Sequence, residues 1–192
     1  MREAQENTCC FTGYRPYRFD FQPEGLRPEQ VQEALAIQIR RLFEGGCTRF
    51  ITGMCLGVDL WAAREVLRLR QECPEVTLTA AIPFEGQENR WTMAQQQEYR
   101  RIREQCSEEV VLFSPREASR NAAACYRGRN RWMVEQAGTV LAVFSFEAAD
   151  TRSGTASTVR YARRKLRRVV YIHPRTLAVS EETVRQLELP TL

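Results

Sequence analysis

Short runs of β-branched and aromatic residues alternate along the chain with longer segments whose apolar residues recur at helical spacing. This alternation is typical of βα units arranged around a mostly parallel sheet. We therefore predict an α/β fold with a mostly parallel central sheet of about six strands. The predicted strands are Thr8–Thr12, Arg49–Thr52, Val76–Ile82, Glu109–Phe113, Thr139–Phe144 and Arg168–Ile172.

Three segments between these strands have apolar stripes at helical spacing. The first follows Pro28, which suits the first turn of a helix, and it ends at Gly45 and Gly46. We interpret all three stripes as faces that pack on the core. They are Val31, Leu35, Ile39, Leu42 and Phe43; Leu60, Ala63 and Leu67; and Thr155, Val159, Ala162 and Leu166.

The length of 192 residues suits a single domain. We place its core at roughly residues 7–173 and interpret 174–192 as a tail, with one short helical pattern over Glu181–Leu187. The chain is 43% hydrophobic and 27% charged, which is typical of a folded protein. Its apolar runs are far shorter than the ~20 residues of a membrane span, and no signal-peptide pattern follows Met1. We expect a cytoplasmic protein that does not bind a membrane.

Seven cysteines form no C-x-x-C pair, and His173 is the only histidine. We interpret the thiols as reduced and expect no metal site. The net charge of +4 comes almost entirely from arginine, because Lys165 is the only lysine. Arginine suits phosphate recognition, but we interpret the densest basic run, residues 163–168, as a solvated helix end rather than a nucleic-acid patch.

Three predicted βα turns combine glycine with hydroxyl, carboxylate or guanidinium groups. Glycine lets backbone amides approach an anion, and a helix N-terminus adds about half a positive charge. Because the carboxyl ends of parallel strands share one edge of a sheet, the three turns can meet at one crevice. The candidate ligand-binding residues are Thr12, Gly13 and Arg15 in F-T-G-Y-R-P; Gly53, Gly57 and Asp59 in I-T-G-M-C-L-G-V-D; and Ser153, Gly154 and Thr155 in R-S-G-T-A-S.

Two of these positions allow alternative interpretations. A carboxylate in the first helical turn would repel a phosphate, so Asp59 either caps the helix or accepts a hydrogen bond from a sugar hydroxyl. The Ser153 turn is either a phosphate loop or a plain N-cap.

Three further segments extend the candidate site. Gly13–Arg27 is an aromatic-rich loop, longer than the ~2 to 6 residues usual for a βα connection, and such loops are functional or disordered. The loop P-F-E-G-Q-E-N-R-W follows a strand, and in R-G-R-N-R-W-M-V the residues Arg129, Asn130 and Arg131 precede the apolar stripe Trp132–Ala137. We include Pro83, Phe84, Glu85, Asn89 and Arg90 from the former and Arg129 and Asn130 from the latter as ligand-binding candidates, with Glu85 and Glu88 as candidate catalytic carboxylates.

The ordered motifs C-C-F-T-G-x-R-P, I-T-G-M-x-L-G-V-D-x-W-A-A, A-x-I-P-F-x-x-Q-x-x-R-W, R-N-x-W-M-V and S-G-T-A-x-T-V-R-Y-A span nearly the whole chain. In this order they resemble the YpsA-like branch of the SLOG superfamily. That superfamily groups DprA/SMF-like DNA-processing proteins, LOG-type nucleotide hydrolases and nucleotide-ligand sensors. The resemblance implies a Rossmann-like three-layer fold and a pocket for a nucleotide-derived ligand at the carboxyl ends of the strands.

The chain departs from the family pattern at three positions. Tyr14 stands where the pattern has His, and Ser153 replaces the first glycine of a Gly-Gly-Thr turn. The hydrolase branch has a glutamate three residues after its Gly-Thr pair, where this chain has Thr158. The catalytic carboxylate of that branch therefore cannot be transferred to this chain.

These observations lead to three functional hypotheses. The first is binding or sensing of a nucleotide such as ADP-ribose or NAD, which needs no catalytic group. The second is hydrolysis of an N-glycosidic or phosphate bond, with Glu85 or Glu88 as acid or base and Arg90 on a phosphate. The third, DprA-like binding of single-stranded DNA, is less favoured because the sequence shows no clear basic stripe. A homo-oligomer fits any of the three.

Overall fold

The computed structural model describes residues 5–19, 26–146 and 153–183. A short 3-10 turn, Pro16–Arg18, follows the first strand. The strands and helices in chain order are β1 (Thr8–Gly13), α1 (Pro28–Glu44), β2 (Arg49–Thr52), α2 (Val58–Glu72), β3 (Thr77–Ile82), α3 (Met93–Gln105), β4 (Glu108–Val111), α4 (Pro115–Gln136), β5 (Thr139–Val143), α5 (Gly154–Arg164), β6 (Arg168–Ile172) and β7 (Val179–Glu182).

The strands form one sheet in the order β4-β3-β2-β1-β5-β6-β7. All neighbouring pairs are parallel except β6 and β7, which are antiparallel. From β1 the chain builds outward to β4, then returns and continues on the other side of β1 with β5 and β6. This reversal makes β1 and β5 the switch point of the sheet, where open α/β sheets bind their ligands.

The helices form a layer on each face of the sheet. Since crossovers between parallel strands are right-handed, α1, α2 and α3 lie on one face and α4 and α5 on the other. Packing of α1 on α2, of α2 on α3 and of α4 on α5 agrees with this arrangement. The predicted three-layer α/β fold is confirmed. In the described part of the chain, no helix has the length and hydropathy needed to cross a membrane.

The sheet has seven strands, one more than the sequence predicts. The additional strand, β7, lies in the segment interpreted as a tail, and Val179–Glu182 pairs with Val169–Ile172 of β6. Ion pairs of Arg168 with Glu181 and of Arg163 with Glu182 hold this polar strand in place. The helical pattern expected from Glu181 is therefore wrong at its first two residues, and its end at Leu187 lies outside the described residues.

Candidate functional site

A crevice of about 730 Å³ opens beyond the carboxyl ends of β1 and β5. Its walls come from the turn after β1, the turn between β2 and α2, the first turns of α5 and one side of α4. The predicted site residues that line it are Thr12, Gly13, Arg15, Asp59, Arg129, Asn130, Ser153, Gly154 and Thr155.

Two glycines of the β2–α2 turn, Gly53 and Gly57, pack against other residues of the chain and do not line the crevice. Gly57 has a φ of +90°, and a Cβ there would meet the carbonyl oxygen of Tyr14. A Cβ on Gly53 would meet the guanidinium of Arg129. As the sequence suggests, both positions need glycine because another group comes close to the backbone there. The groups that come close are a backbone carbonyl and an arginine of this chain.

Arg129 on α4 is 3% exposed, and its guanidinium joins several elements. Its Nη1 donates to the carbonyl oxygens of Gly53, after β2, and of Ala81 in β3. Its Nη2 lies 3.2 Å from the sulfur of Cys55, and its Nε donates to Asn130 Oδ1 at 2.8 Å. Arg129 therefore fixes the turn after β2 against α4.

Asp59 is buried at the edge of the crevice, with its Oδ2 3.8 Å from Nη1 of Arg129. The N-cap of α2 is Gly57, and Asp59 Oδ2 instead accepts a hydrogen bond at 3.4 Å from the amide of Cys55. Burial raises the pKa of Asp59, while the guanidinium groups of Arg129 and Arg15 oppose that rise. Asp59 therefore stabilises the turn before α2 through the amide of Cys55, and it also lines the crevice.

The first turn of α5 lies at the crevice. Ser153 is the N-cap, because its Oγ accepts from the amide of Ala156 at 3.0 Å. The hydroxyl of Thr155 donates to the carbonyl oxygen of Gly13 at 2.9 Å, which ties α5 to the end of β1. A Cβ on Gly154 would meet none of the described residues within 4 Å, so space remains beside this turn in the described part of the chain. First-turn amides of a helix have no acceptor within the helix and attract anions.

A chain of hydrogen bonds connects α4 to this N-terminus. Asn130, which accepts from Arg129, donates from its Nδ2 to Thr158 Oγ1 at 3.0 Å. Thr158 in turn donates to the carbonyl oxygen of Gly154 at 2.9 Å. The buried guanidinium thus positions both the β2–α2 turn and the first turn of α5.

The charge of the crevice is strongly positive. Asp59 is the only carboxylate among its described lining residues, and three tyrosines, Tyr14, Tyr17 and Tyr126, add aromatic surface. Tyr17 is 83% exposed, an unusual exposure for an aromatic ring. The cations that line the crevice are Arg15, Arg18, Arg127, Arg129 and Arg160. Such a site can hold anionic groups and a flat ring together.

The loop after β3 lies outside the crevice. β3 is two strands from β1, which corresponds to about 10 Å at the usual strand spacing. Glu85 is half exposed and forms a bidentate ion pair with Arg103. Phe84 reaches the site only indirectly, through its ring contact with Tyr126 at 5.4 Å between centroids. Residues of this loop absent from the crevice lining are Pro83, Phe84, Glu85, Glu88, Asn89 and Arg90.

Several lining residues were not candidates in the sequence. The aromatic-rich loop after β1 signals Tyr17 and Arg18, and helical periodicity from Ser153 leads to Ser157 and Arg160 on the same side of α5. Arg127 is the first residue of the segment R-G-R-N-R-W-M-V but was not chosen as a candidate, and Tyr126, which precedes it, had no signal in the sequence.

Sequence comparison places the chain among bacterial relatives. The sequence profile of the YspA SLOG family matches residues 9–177. A UPF0398 protein of Bacillus velezensis is 26% identical over 138 residues, which cover 71% of this chain and 74% of that protein. A UPF0398 protein of Halalkalibacterium halodurans is 29% identical over 136 residues, 69% of each chain.

Two solved structures share the fold. DNA processing protein A (DprA) from Streptococcus pneumoniae superposes with a TM-score of 0.52 and 17% identity, covering 88% of this chain and 51% of that one. DprA from Helicobacter pylori, whose structure addresses its single-stranded DNA binding mode, gives a TM-score of 0.53 and 18% identity over 91% of this chain and 68% of that one. This chain thus spans about half the length of the S. pneumoniae protein, and the similarity is one of fold.

Proposed function

The chain belongs to the YspA SLOG family, and from this premise we propose that its crevice binds a nucleotide-derived ligand of the ADP-ribose or NAD type. One observation supports the proposal above all others. Among the described residues, the crevice at the switch point brings together five guanidinium groups, a helix N-terminus and a single buried carboxylate.

In the proposal, the phosphates of the ligand bind to the arginines and to the N-terminus of α5. Arginine recognises phosphate through paired N–H donors, and the first turn of α5 adds its amides and dipole. Gly154 leaves room for a phosphate there, while Arg15 and Arg127 also line the crevice.

The remaining polar and aromatic groups match a nucleoside. In the proposal Asp59 accepts hydrogen bonds from sugar hydroxyls, since a carboxylate beside phosphate sites is otherwise unfavourable. The exposed ring of Tyr17 at the rim offers a surface for stacking of a base.

The proposal is limited to binding. Neither Glu85 nor Glu88 lines the crevice, and Glu85 is paired with Arg103, so neither is placed to act on a ligand held there. Hydrolysis by these carboxylates is therefore not part of the proposal.

A thermal-shift screen tests the proposal, with ADP-ribose, NAD, AMP, cyclic nucleotides and oligonucleotides as ligands. Oligonucleotides are included because of the fold shared with H. pylori DprA. A ligand at about 100 times its dissociation constant adds about 2.7 kcal/mol to the free energy of unfolding. Mass analysis after incubation shows whether the ligand is consumed, which would support the hydrolase hypothesis instead.

A matched pair of variants links any shift to the crevice. Arg127→Ala removes an exposed cation that lines the crevice, whereas Arg116→Ala removes an exposed cation that does not, from the part of α4 before its kink at Asn121. We expect the first variant to weaken nucleotide binding and the second to leave it unchanged. Equal affinity of both variants, or no shift with any nucleotide, would contradict the proposal.

A further inference from the structure

Among the described residues, Cys55 is the only cysteine that lines the crevice. It lies in the turn between β2 and α2, is 6% exposed and is not part of the hydrophobic core cluster. Two guanidinium groups from separate elements donate to its sulfur, Nη2 of Arg129 at 3.2 Å and Nη2 of Arg15 at 3.4 Å. The nearby carboxylate of Asp59 bonds to the backbone amide of Cys55 and not to its sulfur. The sulfur is therefore an acceptor between two cations.

Three other cysteines have the opposite hydrogen-bond role. The thiols of Cys9, Cys47 and Cys106 each donate to a backbone carbonyl oxygen, at 3.3 to 3.6 Å. Burial raises the pKa of Cys47 and that of Cys106 to about 12, so both stay protonated at neutral pH. A protonated thiol is a poor nucleophile, whereas neighbouring cations stabilise the reactive thiolate. The contacts of Cys55 therefore favour the reactive form, and those of the other three favour the inert form.

A second observation indicates that a small polar molecule fits in the crevice. Thr12, at the end of β1, lines the same crevice and is 7% exposed. Its hydroxyl has no hydrogen-bond partner among the residues that the structure describes. Buried polar groups are nearly always paired, so this hydroxyl is open to a hydrogen-bonding molecule that enters the crevice.

We propose that Cys55 is a site of oxidation by hydrogen peroxide and that its oxidation blocks the nucleotide site. The thiolate sulfur attacks one oxygen of the peroxide, so that an S–O bond forms and the O–O bond breaks. Sulfur loses two electrons and becomes a sulfenic acid, while the departing hydroxide takes a proton from solvent and leaves as water. Arg15 and Arg129 stabilise the thiolate before the attack, and the Thr12 hydroxyl is free to donate to a peroxide oxygen.

The effect on the nucleotide site rests on the proposed function. Arg15 is one of the cations proposed to bind phosphate, and it also contacts the sulfur of Cys55. A sulfenic acid adds an oxygen beside this guanidinium, where it accepts N–H donors that a phosphate would otherwise use. A bound nucleotide should therefore protect Cys55 from peroxide, and oxidised Cys55 should weaken nucleotide binding.

Selective labelling tests the reactivity of the thiol. The protein would be treated with limiting hydrogen peroxide and dimedone, which traps sulfenic acid, and its tryptic peptides would be analysed by mass spectrometry. Cys55 should be labelled first, although Cys73 and Cys106 are more exposed. The variant C55S should lose this adduct. Labelling of Cys55 no faster than that of Cys73 would overturn the proposal.

Two arginine variants test the role of the cations. R15Q removes one guanidinium from the sulfur and should slow the labelling of Cys55 by about tenfold, a common effect of one charge-assisted hydrogen bond on an equilibrium. R131Q makes the same charge change at an exposed residue of α4 outside the crevice lining, and it should be labelled at nearly the wild-type rate. Equal labelling rates of the two variants would contradict activation of the thiol by Arg15.

ADP-ribose separates this inference from the proposed function. If it binds, it should slow the labelling of Cys55, and peroxide should weaken its binding to wild type but not to C55S. Binding that neither protects Cys55 nor responds to peroxide would overturn the inference and leave the proposed function standing. If no nucleotide binds, the proposed function fails and the blocking effect fails with it, whereas labelling of Cys55 before the other cysteines would still support the oxidation site.

Discussion

Arg129 shows how a residue in a ligand site can act by positioning rather than by binding. Its donors reach two backbone carbonyls, the Cys55 sulfur and the side chain of Asn130, so little of the guanidinium is left for a ligand. The more exposed Arg15 and Arg127 are better placed to bind anions directly. Sequence motifs do not distinguish these two roles, since both appear as arginine after a strand or in a helix.

Replacing Arg129 with methionine should destabilise the fold strongly. The substitution leaves the buried Asp59 carboxylate and the carbonyls of Gly53 and Ala81 without their partner. Removing one member of a buried ion pair costs about 3–5 kcal/mol. Urea denaturation would measure the loss, and Arg127→Ala, an exposed change on the same helix, should stay within about 0.5 kcal/mol of wild type. Similar stability of the two variants would contradict the positioning role.

Alanine substitutions at two glycines near the crevice should have different effects: one should lower stability and the other should lower ligand affinity. Gly57→Ala places a side chain at a φ of +90° and against the carbonyl of Tyr14, so we expect a loss of about 1–3 kcal/mol in unfolding free energy. Gly154→Ala adds a Cβ that no described residue approaches within 4 Å, and it should leave stability nearly unchanged. Its methyl group instead narrows the proposed phosphate position, so ligand affinity should fall. Thermal melts with and without ligand would separate the two effects, and a stable Gly57→Ala protein would show that the turn is not strained.

At the level of elements, the N-terminus of α5 depends on its cap. Ser153 Oγ accepts from the amide of Ala156, so Ser153→Ala should lower the free energy of unfolding by about 1 kcal/mol. Ser153→Gly should cost only a few tenths of a kcal/mol, because glycine is tolerated at N-caps. Chemical denaturation of the two variants tests this order. The reverse order would mean that the hydroxyl does not stabilise the helix.

The elements that the sequence predicts well are those with a buried face. The stripe from Val31 to Leu42 fixes α1, and β5 is buried along its whole length. By contrast, α3 buries only Tyr99 and Ile102, so its pattern is too sparse to be recognised as a helix. β7 is polar and depends on backbone pairing with β6, a long-range contact that no local pattern encodes.

The candidate site was predictable only in part. The turns after β1 and β2 and before α5 meet at the crevice because β1 and β5 form the switch point and β2 is adjacent to β1. The loop after β3 has equally suitable residues, such as Glu85 and Arg90, yet it lies two strands from β1. Residue types predict chemistry, but the strand order decides which loops meet, and a single sequence does not fix that order.

On the scale of the whole molecule, ion pairs stabilise both edges of the sheet. At β4, Arg103 bonds to Glu109 and Glu85. At the opposite edge, Arg168 of β6 forms an ion pair with Glu181 of the edge strand β7. Hydrogen bonds from Arg103 lower the pKa of Glu109, and those from Arg168 lower the pKa of Glu181. Both carboxylates are largely exposed, so solvent and salt reduce what each pair contributes.

The lowered pKa values predict a specific dependence of stability on pH. A carboxyl group whose pKa falls below 4.5 on folding stabilises the protein above that pH, and its contribution disappears as acid protonates the folded state. The double variant E109Q/E181Q should therefore be less stable than wild type at neutral pH, by less than about 1 kcal/mol for each exposed pair. The difference should shrink to nothing as the pH falls through the lowered pKa values.

Urea denaturation of both proteins from neutral pH down to about 3 would measure this convergence. E104Q, which alters an exposed glutamate of α3 outside the ion pairs described, should follow wild type throughout. Added salt should shrink the difference at neutral pH, because the pairs are exposed. A difference that persists unchanged in acid would show that these side chains act by packing, and the edges of the sheet would then depend on backbone pairing alone.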